Sequence, residues 1–167
     1  MRIFGKSLAL FLVLISVATA AWAASKCQPE FDKIKSLAGN WEGKSARGNP
    51  VHINYKLVSG GTAVMESILE SSEAQMVTLY YLDGDHVMMT HCCMANNQPR
   101  MRADASTSNQ SAIKFSFVDV TNLSRPDAGH MYAHSIEWTD SNHVTQHWTW
   151  REGKQEKVET FDLQRKN

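Results

Sequence analysis

Hydrophobic and polar residues alternate along most of the chain after residue 40. In residues 51–58, valine, isoleucine, tyrosine and leucine occupy every second position. A period of two is typical of a half-buried β-strand. Turn-forming sequences separate such stretches, and Asp83-Gly84 is the strongest hairpin signal among them. The pattern predicts ten short strands, at residues 40–46, 51–58, 62–69, 75–82, 86–93, 100–105, 112–118, 130–139, 143–151 and 155–164.

The segment before the first strand has a different period. Phe31, Ile34 and Leu37 recur at helical spacing, Pro29 suits a first helical turn, and Gly39 can end the helix. Ten strands joined without long crossovers favour an antiparallel meander, and closure of that meander removes exposed edges. The predicted fold is therefore all-β: an up-and-down β-barrel of about ten antiparallel strands with a short N-terminal helix.

The first 23 residues have the pattern of a secretory signal peptide. Arg2 and Lys6 make the start basic, and residues 8–17 form an apolar run broken by one serine. The sequence AWA then matches an A-x-A cleavage site, with ATA just before it as a competing site. The run is short for a transmembrane span, and no second one follows. We expect residues 1–23 to be a signal peptide, and residues 24–167 to be one domain exported to the bacterial periplasm or the extracellular space.

The charge balance argues against nucleic acid or an anionic membrane as a partner. The chain has 17 basic and 17 acidic residues. The leader holds two of the basic residues and no acidic one, so the mature chain carries about −2. No run of basic residues forms a patch. The oligomeric state stays open.

Three cysteines leave the disulfide pattern open. In an oxidising compartment Cys27 can pair with Cys92 or with Cys93. A bridge between the adjacent Cys92 and Cys93 would be strained, because neighbouring residues of a strand point to opposite faces. At least one thiol is left free or pairs with another molecule.

The start of the mature domain resembles the calycin superfamily, which includes lipocalins, fatty-acid-binding proteins and haem-binding nitrobindins. The resemblance rests on the G-x-W motif Gly39-Asn40-Trp41, with a helix before it and a meander after it. It implies that Trp41 packs over the closed end of the barrel and that Arg165 covers it. It also implies a small apolar or amphipathic ligand inside the barrel.

The resemblance implies neither a specific activity nor a haem group for this chain. The stretches MVTLYYLDGD, THCCMANNQPRM and TQHWTWREG are similar to an uncharacterised group of exported bacterial proteins, which brings no established activity. The nitrobindins ligate haem iron with a histidine on a late strand. The last strand here, residues 157–165, has no histidine, so haem is not carried over, although His134 or His147 keeps that alternative open.

Residues 83–101 hold the densest group of titratable and soft side chains. Both faces of their strand, residues 86–93, are semi-polar, so alternation alone leaves open which face is inside. We expect His91 and Cys93 to face inward because Met101 and Ala103 suggest that the odd-numbered face continues inside. A three-residue loop at 140–142 would place His134 opposite Trp148, inside the barrel. The predicted ligand-binding residues are Glu66, Tyr80, His91, Cys93, Gln98, Met101, His134, Gln146 and Trp148.

Two other interpretations of the predicted ligand-binding residues stay open. The polar side chains can be buried groups that bond only to one another, and Glu66 can face solvent between inward Met65 and Ser67. A metal site or an enzyme built on His91, Cys93 and His134 is the competing class. No established metal-binding spacing or catalytic motif supports it. We therefore assign no catalytic residue, no metal ligand and no cofactor, and expect a protein that binds a small apolar or amphipathic molecule.

Overall fold

A computed structural model describes residues 25–70, 74–104 and 111–166; the predicted signal peptide lies outside these ranges. Its elements are α1 Gln28–Lys35, β1 Gly39–Ser45, β2 Pro50–Val58, a 3-10 turn Ser59–Gly61, β3 Ala63–Glu70, β4 Ala74–Asp83, β5 His86–Cys92, β6 Gln98–Ala103, β7 Ala112–Thr121, β8 His130–Trp138, β9 His143–Glu152 and β10 Gln155–Lys166. Within the described ranges, no helix is long and apolar enough to cross a membrane.

The ten strands form one closed antiparallel barrel. Each strand pairs with its neighbours in sequence, and β1 closes the barrel by pairing with both β2 and β10. Alternate residues point inward, as the period of two predicts. The predicted fold class, with ten antiparallel strands and one short N-terminal helix, is confirmed.

The helix α1 and the turn after it cover one end of the barrel. Phe31, Ile34 and Leu37 are buried in the barrel core, as their spacing predicts. Trp41 follows on β1, and its indole Nε1 donates to the carbonyl of Leu37 at 2.8 Å. The guanidinium of Arg165 lies 4.4 Å from the centre of the Trp41 ring. We call this region the closed end.

Arg165 joins the closed end to the last strand. Its Nη1 donates to the carbonyl of Ala38 and its Nη2 to the carbonyl of Ser36, both at 2.8 Å. Gly39 lies beneath it with φ = 129°, and a Cβ there would come within 3.1 Å of Nη1 of Arg165. Glycine at this position therefore permits both the backbone conformation and the close approach of the guanidinium.

The β4–β5 hairpin has a different register from the one the sequence predicts. With Asp83-Gly84 as the turn, Tyr80 would pair with Val87. In the structure Asp83 pairs with His86, so Gly84 is the first central residue of the turn, where its φ is 56°. Glycine is favoured there because the turn requires a positive φ. Tyr80 now pairs with Met89; the shift is two residues, so every side chain keeps its predicted face.

A bulge in β8 changes one predicted face. The alternation places His130, Tyr132 and His134 together. In the structure the register shifts between Met131 and Ala133. Tyr132 is the extra residue, and its ring packs against Arg151 instead. Beyond the bulge His134 pairs with Trp148, as predicted.

The three cysteines are free thiols. Ser25, which contacts the sulfur of Cys27, also donates to the carbonyl of Gly84 in the β4–β5 turn. Cys92 ends β5 at the far end of the barrel, about 20 Å away at the rise of an extended strand. A bridge from Cys27 to Cys92 or Cys93, which the sequence left open, is not formed in the structure.

Candidate functional site

A cavity of about 310 Å³ opens at the end of the barrel away from α1, which we call the open end. Strands β3, β4, β5, β8, β9 and β10 and the β1–β2 turn supply its walls. The lining residues are Arg47, Ile68, Glu70, Met76, His91, Met131, Trp148, Trp150, Lys157, Glu159 and Phe161.

The deep part of the cavity is apolar apart from one histidine. Ile68 and Met76 are cross-strand partners on β3 and β4, and Phe161 points inward from β10. The buried indole of Trp148 contacts the ring of His91, with centroids 4.7 Å apart. A ligand there would exchange water for apolar side chains and meet few polar groups.

Charged side chains surround the mouth, and three of them are joined by ion pairs. Arg47 Nη2 lies 3.1 Å from Oε1 of Glu70, and Arg47 Nε lies 3.2 Å from Oε2 of Glu159. Arg47 thereby links the β1–β2 turn to β3 and to β10. Lys157 adds a second positive charge on β10. The two positive and two negative side chains give the rim a formal charge of zero.

Beneath the cavity, the buried carboxyl group of Glu66 accepts hydrogen bonds from several side chains. Glu66 is fully buried, and Tyr80 Oη donates to its Oε2 at 2.8 Å. Gln146 Nε2 donates to Oε1 at 2.6 Å, and hydrogen bonding by the hydroxyls of Tyr55 and Thr78 also lowers the pKa of this carboxyl group. Burial raises the pKa of Glu66, while the four donors act in the opposite direction. In the described residues Glu66 forms no salt bridge.

The orientation of the Gln146 amide is fixed by Trp148. The indole Nε1 donates to Oε1 of Gln146 at 2.8 Å. The amide nitrogen must then face Glu66 and the hydroxyl of Tyr55, which it also contacts. This chain connects a residue of the cavity wall to the buried acid.

His134 lies at the other side of this network. Its ring stacks on Trp148 with centroids 3.8 Å apart, and its Nδ1 lies 3.1 Å from the carbonyl of His147. Because a carbonyl accepts, Nδ1 carries a proton. Burial lowers the pKa of His134 to about 3, so the ring is neutral and Nε2 is bare at neutral pH. Nε2 lies 3.3 Å from Oη of Tyr80.

His91 connects the network to the cavity. Its Nδ1 lies 2.9 Å from Oγ1 of Thr78, and Thr78 is the buried cross-strand partner of Glu66. Its Nε2 is buried and has no hydrogen-bond partner in the described part of the chain. Burial lowers the pKa of His91 to about 4, so the imidazole is neutral at neutral pH.

The nine predicted residues fall into three groups. His91 and Trp148 line the cavity. The buried network or core contains Glu66, Tyr80, Met101, His134 and Gln146. The other two lie outside: Cys93 follows β5 in a turn where its amide donates to the carbonyl of Asn97, and Gln98 accepts from Thr121 on an exposed face. Their predicted place in one pocket with His91 is not what the structure shows.

Several cavity residues were missed by the sequence reasoning. Lys157, Glu159 and Phe161 share one face of β10, so alternation alone would have placed them together. Two of the three are charged, which made that face resemble a solvent-exposed one. Met131 lines the cavity only because of the β8 bulge, and no residue pattern announced that bulge.

The structure gives no support for a metal site of several ligands. Within the described ranges, no three His, Cys, Asp or Glu side chains are grouped closely enough to hold an ion. His91 and His134 lie close to the same indole, but His91 bonds to Thr78 whereas His134 contacts Tyr80. Of His91, His134 and Cys93, His91 alone lines the cavity. Burial raises the pKa of its thiol, which disfavours the reactive thiolate.

A solved structure from Nostoc punctiforme has a similar fold. It is described as a protein of unknown function from the DUF3598 family, and the match has a TM-score of 0.55 at 13% identity. The match covers 80% of this chain and 48% of that chain, so this chain spans about half the length of that protein. At this identity the likeness shows the fold alone. No family model and no curated protein matches the sequence.

Proposed function

We propose that this protein binds a small apolar or amphipathic molecule in the cavity at the open end of its barrel. The observation that carries the proposal is the cavity itself: about 310 Å³ of space, lined deep inside by Ile68, Met76, Trp148 and Phe161. Ligand sites in proteins are mostly apolar hollows with a few fixed polar groups, and this volume is at the small end of their range.

The barrel supports such a site with a rigid base. The side chains below the cavity are fully buried and connected by hydrogen bonds from Gln146, Tyr80 and Thr78 to Glu66. A wall held in one conformation needs little ordering when a ligand enters, which favours affinity. The rim has no net charge, so the apolar interior is the main source of binding energy.

The test is to fill the cavity and measure the loss of binding. N-phenyl-1-naphthylamine is a small apolar dye whose fluorescence rises in apolar surroundings. We expect it to bind the purified protein with one-to-one stoichiometry. Met76→Trp places an indole in the cavity and should weaken binding at least about tenfold, since the ligand loses its space.

Leu79→Trp is the matched control. It introduces the same indole three residues further along β4, on the outer face, where Leu79 is 39% exposed. We expect this variant to bind the dye like the unaltered protein. Equal binding by all three proteins, or binding by none, would overturn the proposal.

We also propose that the protein is exported and that residues 1–23 are removed. The basic start, the apolar run and the A-x-A sequence support this. N-terminal sequencing of the protein from a bacterial periplasmic fraction should give a chain that begins at residue 24. A full-length chain confined to the cytoplasm would contradict it.

A further inference from the structure

Two side chains that line the cavity each carry a buried polar atom without a hydrogen-bond partner among the described residues. These atoms are Nε2 of His91, in a side chain that is 1% exposed, and Oε1 of Glu159. The other oxygen of Glu159 pairs with Arg47 at 3.2 Å. Buried polar atoms in folded proteins nearly always have a partner, so such atoms on a cavity wall indicate what a ligand supplies.

The protonation of His91 follows from its neighbours. Thr78 and Glu66 are cross-strand partners and both are fully buried, and hydrogen bonding from Thr78 lowers the pKa of the Glu66 carboxyl group. The hydroxyl of Thr78 has one proton, and a carboxylate is a stronger acceptor for it than an imidazole nitrogen. Thr78 Oγ1 can then only accept from His91, so Nδ1 of His91 carries the imidazole proton. In a neutral ring Nε2 is left with a lone pair, which makes it an acceptor.

Both unpartnered atoms are therefore hydrogen-bond acceptors. Resting on the proposed function, we propose that the cavity selects small apolar molecules that carry O–H or N–H donors, and that it rejects carboxylates at its deep end. An alcohol, phenol or amine satisfies Nε2 of His91. An ether or a carboxylate brings a lone pair against a lone pair.

The charge of a carboxylate adds to this mismatch. A carboxylate that enters the deep end loses its water and meets an acceptor on His91, with the carboxyl group of Glu66 beyond Thr78. A fatty acid held at the rim by Lys157 would avoid this, but it would leave His91 without a partner. A preference for donor-bearing ligands therefore indicates binding to His91 at the deep end, and a preference for carboxylates indicates binding to Lys157 at the rim.

The experiment compares four probes that share one ring system: naphthalene, 2-naphthol, 2-methoxynaphthalene and 2-naphthoate. Isothermal titration calorimetry at neutral pH gives their affinities. We expect 2-naphthol to bind about tenfold more tightly than naphthalene and 2-methoxynaphthalene, the worth of one well-made hydrogen bond. We expect 2-naphthoate to bind most weakly, by about a further tenfold.

Thr78→Val tests whether Thr78 sets the proton position on His91, and it leaves the shape of the cavity unchanged. The side chain keeps its shape, but His91 no longer has to place its proton on Nδ1. Nε2 can then become a donor, so the preference for 2-naphthol over 2-methoxynaphthalene should fall to about threefold or less. Thr90→Val is the control, because Thr90 bonds to Tyr81 on the outer face of β5. It should leave the preference unchanged.

His91→Phe removes the acceptor and should make 2-naphthol and naphthalene bind equally. Thr78→Val carries the test if that variant does not fold, as near-ultraviolet circular dichroism would show. Naphthoate binding as tightly as naphthol, or a preference that survives in both variants, would overturn this inference while the cavity still binds apolar molecules. Failure of all four probes to bind would overturn the proposed function as well.

Discussion

At the closed end Trp41 lies under the guanidinium of Arg165, with its indole nitrogen bonded to Leu37. At the open end Trp150 borders a cavity, and Arg47 bridges two acidic residues across the mouth. Both ends use a tryptophan and an arginine. At the closed end they pack against each other and bond to the helix turn; at the open end each lies beside empty volume or solvent.

The difference shows how one barrel separates stability from binding. Side chains of the closed end, among them Phe31, Leu37 and Trp41, are almost completely buried and pack against one another. Those of the open end leave about 310 Å³ unfilled, which forfeits packing contacts. The hydrogen-bond network around Glu66 lies between the two and supports the cavity from below.

The two tryptophans should respond very differently to truncation. We expect Trp41→Ala to lower the free energy of unfolding by about 4 kcal/mol, because it opens a cavity in a packed region. Trp150→Ala should cost about 2 kcal/mol or less, since Trp150 is only partly buried and already borders a cavity. Urea unfolding followed by circular dichroism measures both. Equal losses would mean that the ends contribute alike.

The open end should also make stability depend on pH through His91. Its pKa is lowered from 6.5 to about 4 in the folded protein. Between these values the unfolded chain takes up a proton that the folded chain does not, so this contribution to stability falls as pH falls from 6.5 to about 4. At about 1.4 kcal/mol per unit, the total is about 3 kcal/mol.

A variant isolates this contribution from its neighbours. Acidification also destabilises through His134, whose pKa is lowered too, whereas the raised pKa of Glu66 acts in the opposite direction. We therefore expect the stability difference between the unaltered protein and His91→Phe to shrink from about pH 7 to about pH 4.5. A difference that stays constant over this range would show that His91 titrates normally when folded.

Substitution of the two arginines, Arg165 and Arg47, should give the smallest difference in stability between the two ends. Arg165→Met removes a cation–π contact and hydrogen bonds to Ala38 and Ser36, and should cost about 2 kcal/mol. Arg47 has a side chain that is 56% exposed, so Arg47→Met should change stability by less than about 1 kcal/mol. Thermal unfolding of both variants checks the order, and a larger loss at Arg47 would reverse it.

Much of the barrel could be predicted because strand alternation and turn residues are local signals. The contact between Trp41 and Arg165 was predicted from the family resemblance based on the G-x-W motif, and the structure contains it. His134 and Trp148 were paired correctly because a short loop fixes the register of a hairpin. Alternation alone did not orient the strand of His91; its inward position was expected from the following Met101 and Ala103, and His91 is buried in the structure.

The cavity was harder to predict because it depends on long-range effects. Lys157 and Glu159 are charged yet line the cavity, because inward positions near a barrel mouth also reach water, so charge alone does not identify the inward face. The bulge at Tyr132 points the side chain of Met131 towards the cavity. Amino-acid sequence gives little indication of where a bulge occurs. The proton position on His91 depends on Thr78 and Glu66, which lie on two other strands.

The methionines offer the most direct test of where a ligand binds. Met76 and Met131 line the cavity, whereas Met65 lies on the outer face of β3 and Met94 is 62% exposed in a turn. Methyl groups of ¹³C-labelled methionine report each position separately by NMR. On addition of 2-naphthol, we predict saturable shifts at Met76 and Met131 and almost none at Met65 and Met94. Shifts confined to Met65 or Met94, or no saturable shift at any methionine, would contradict a ligand site at the open end.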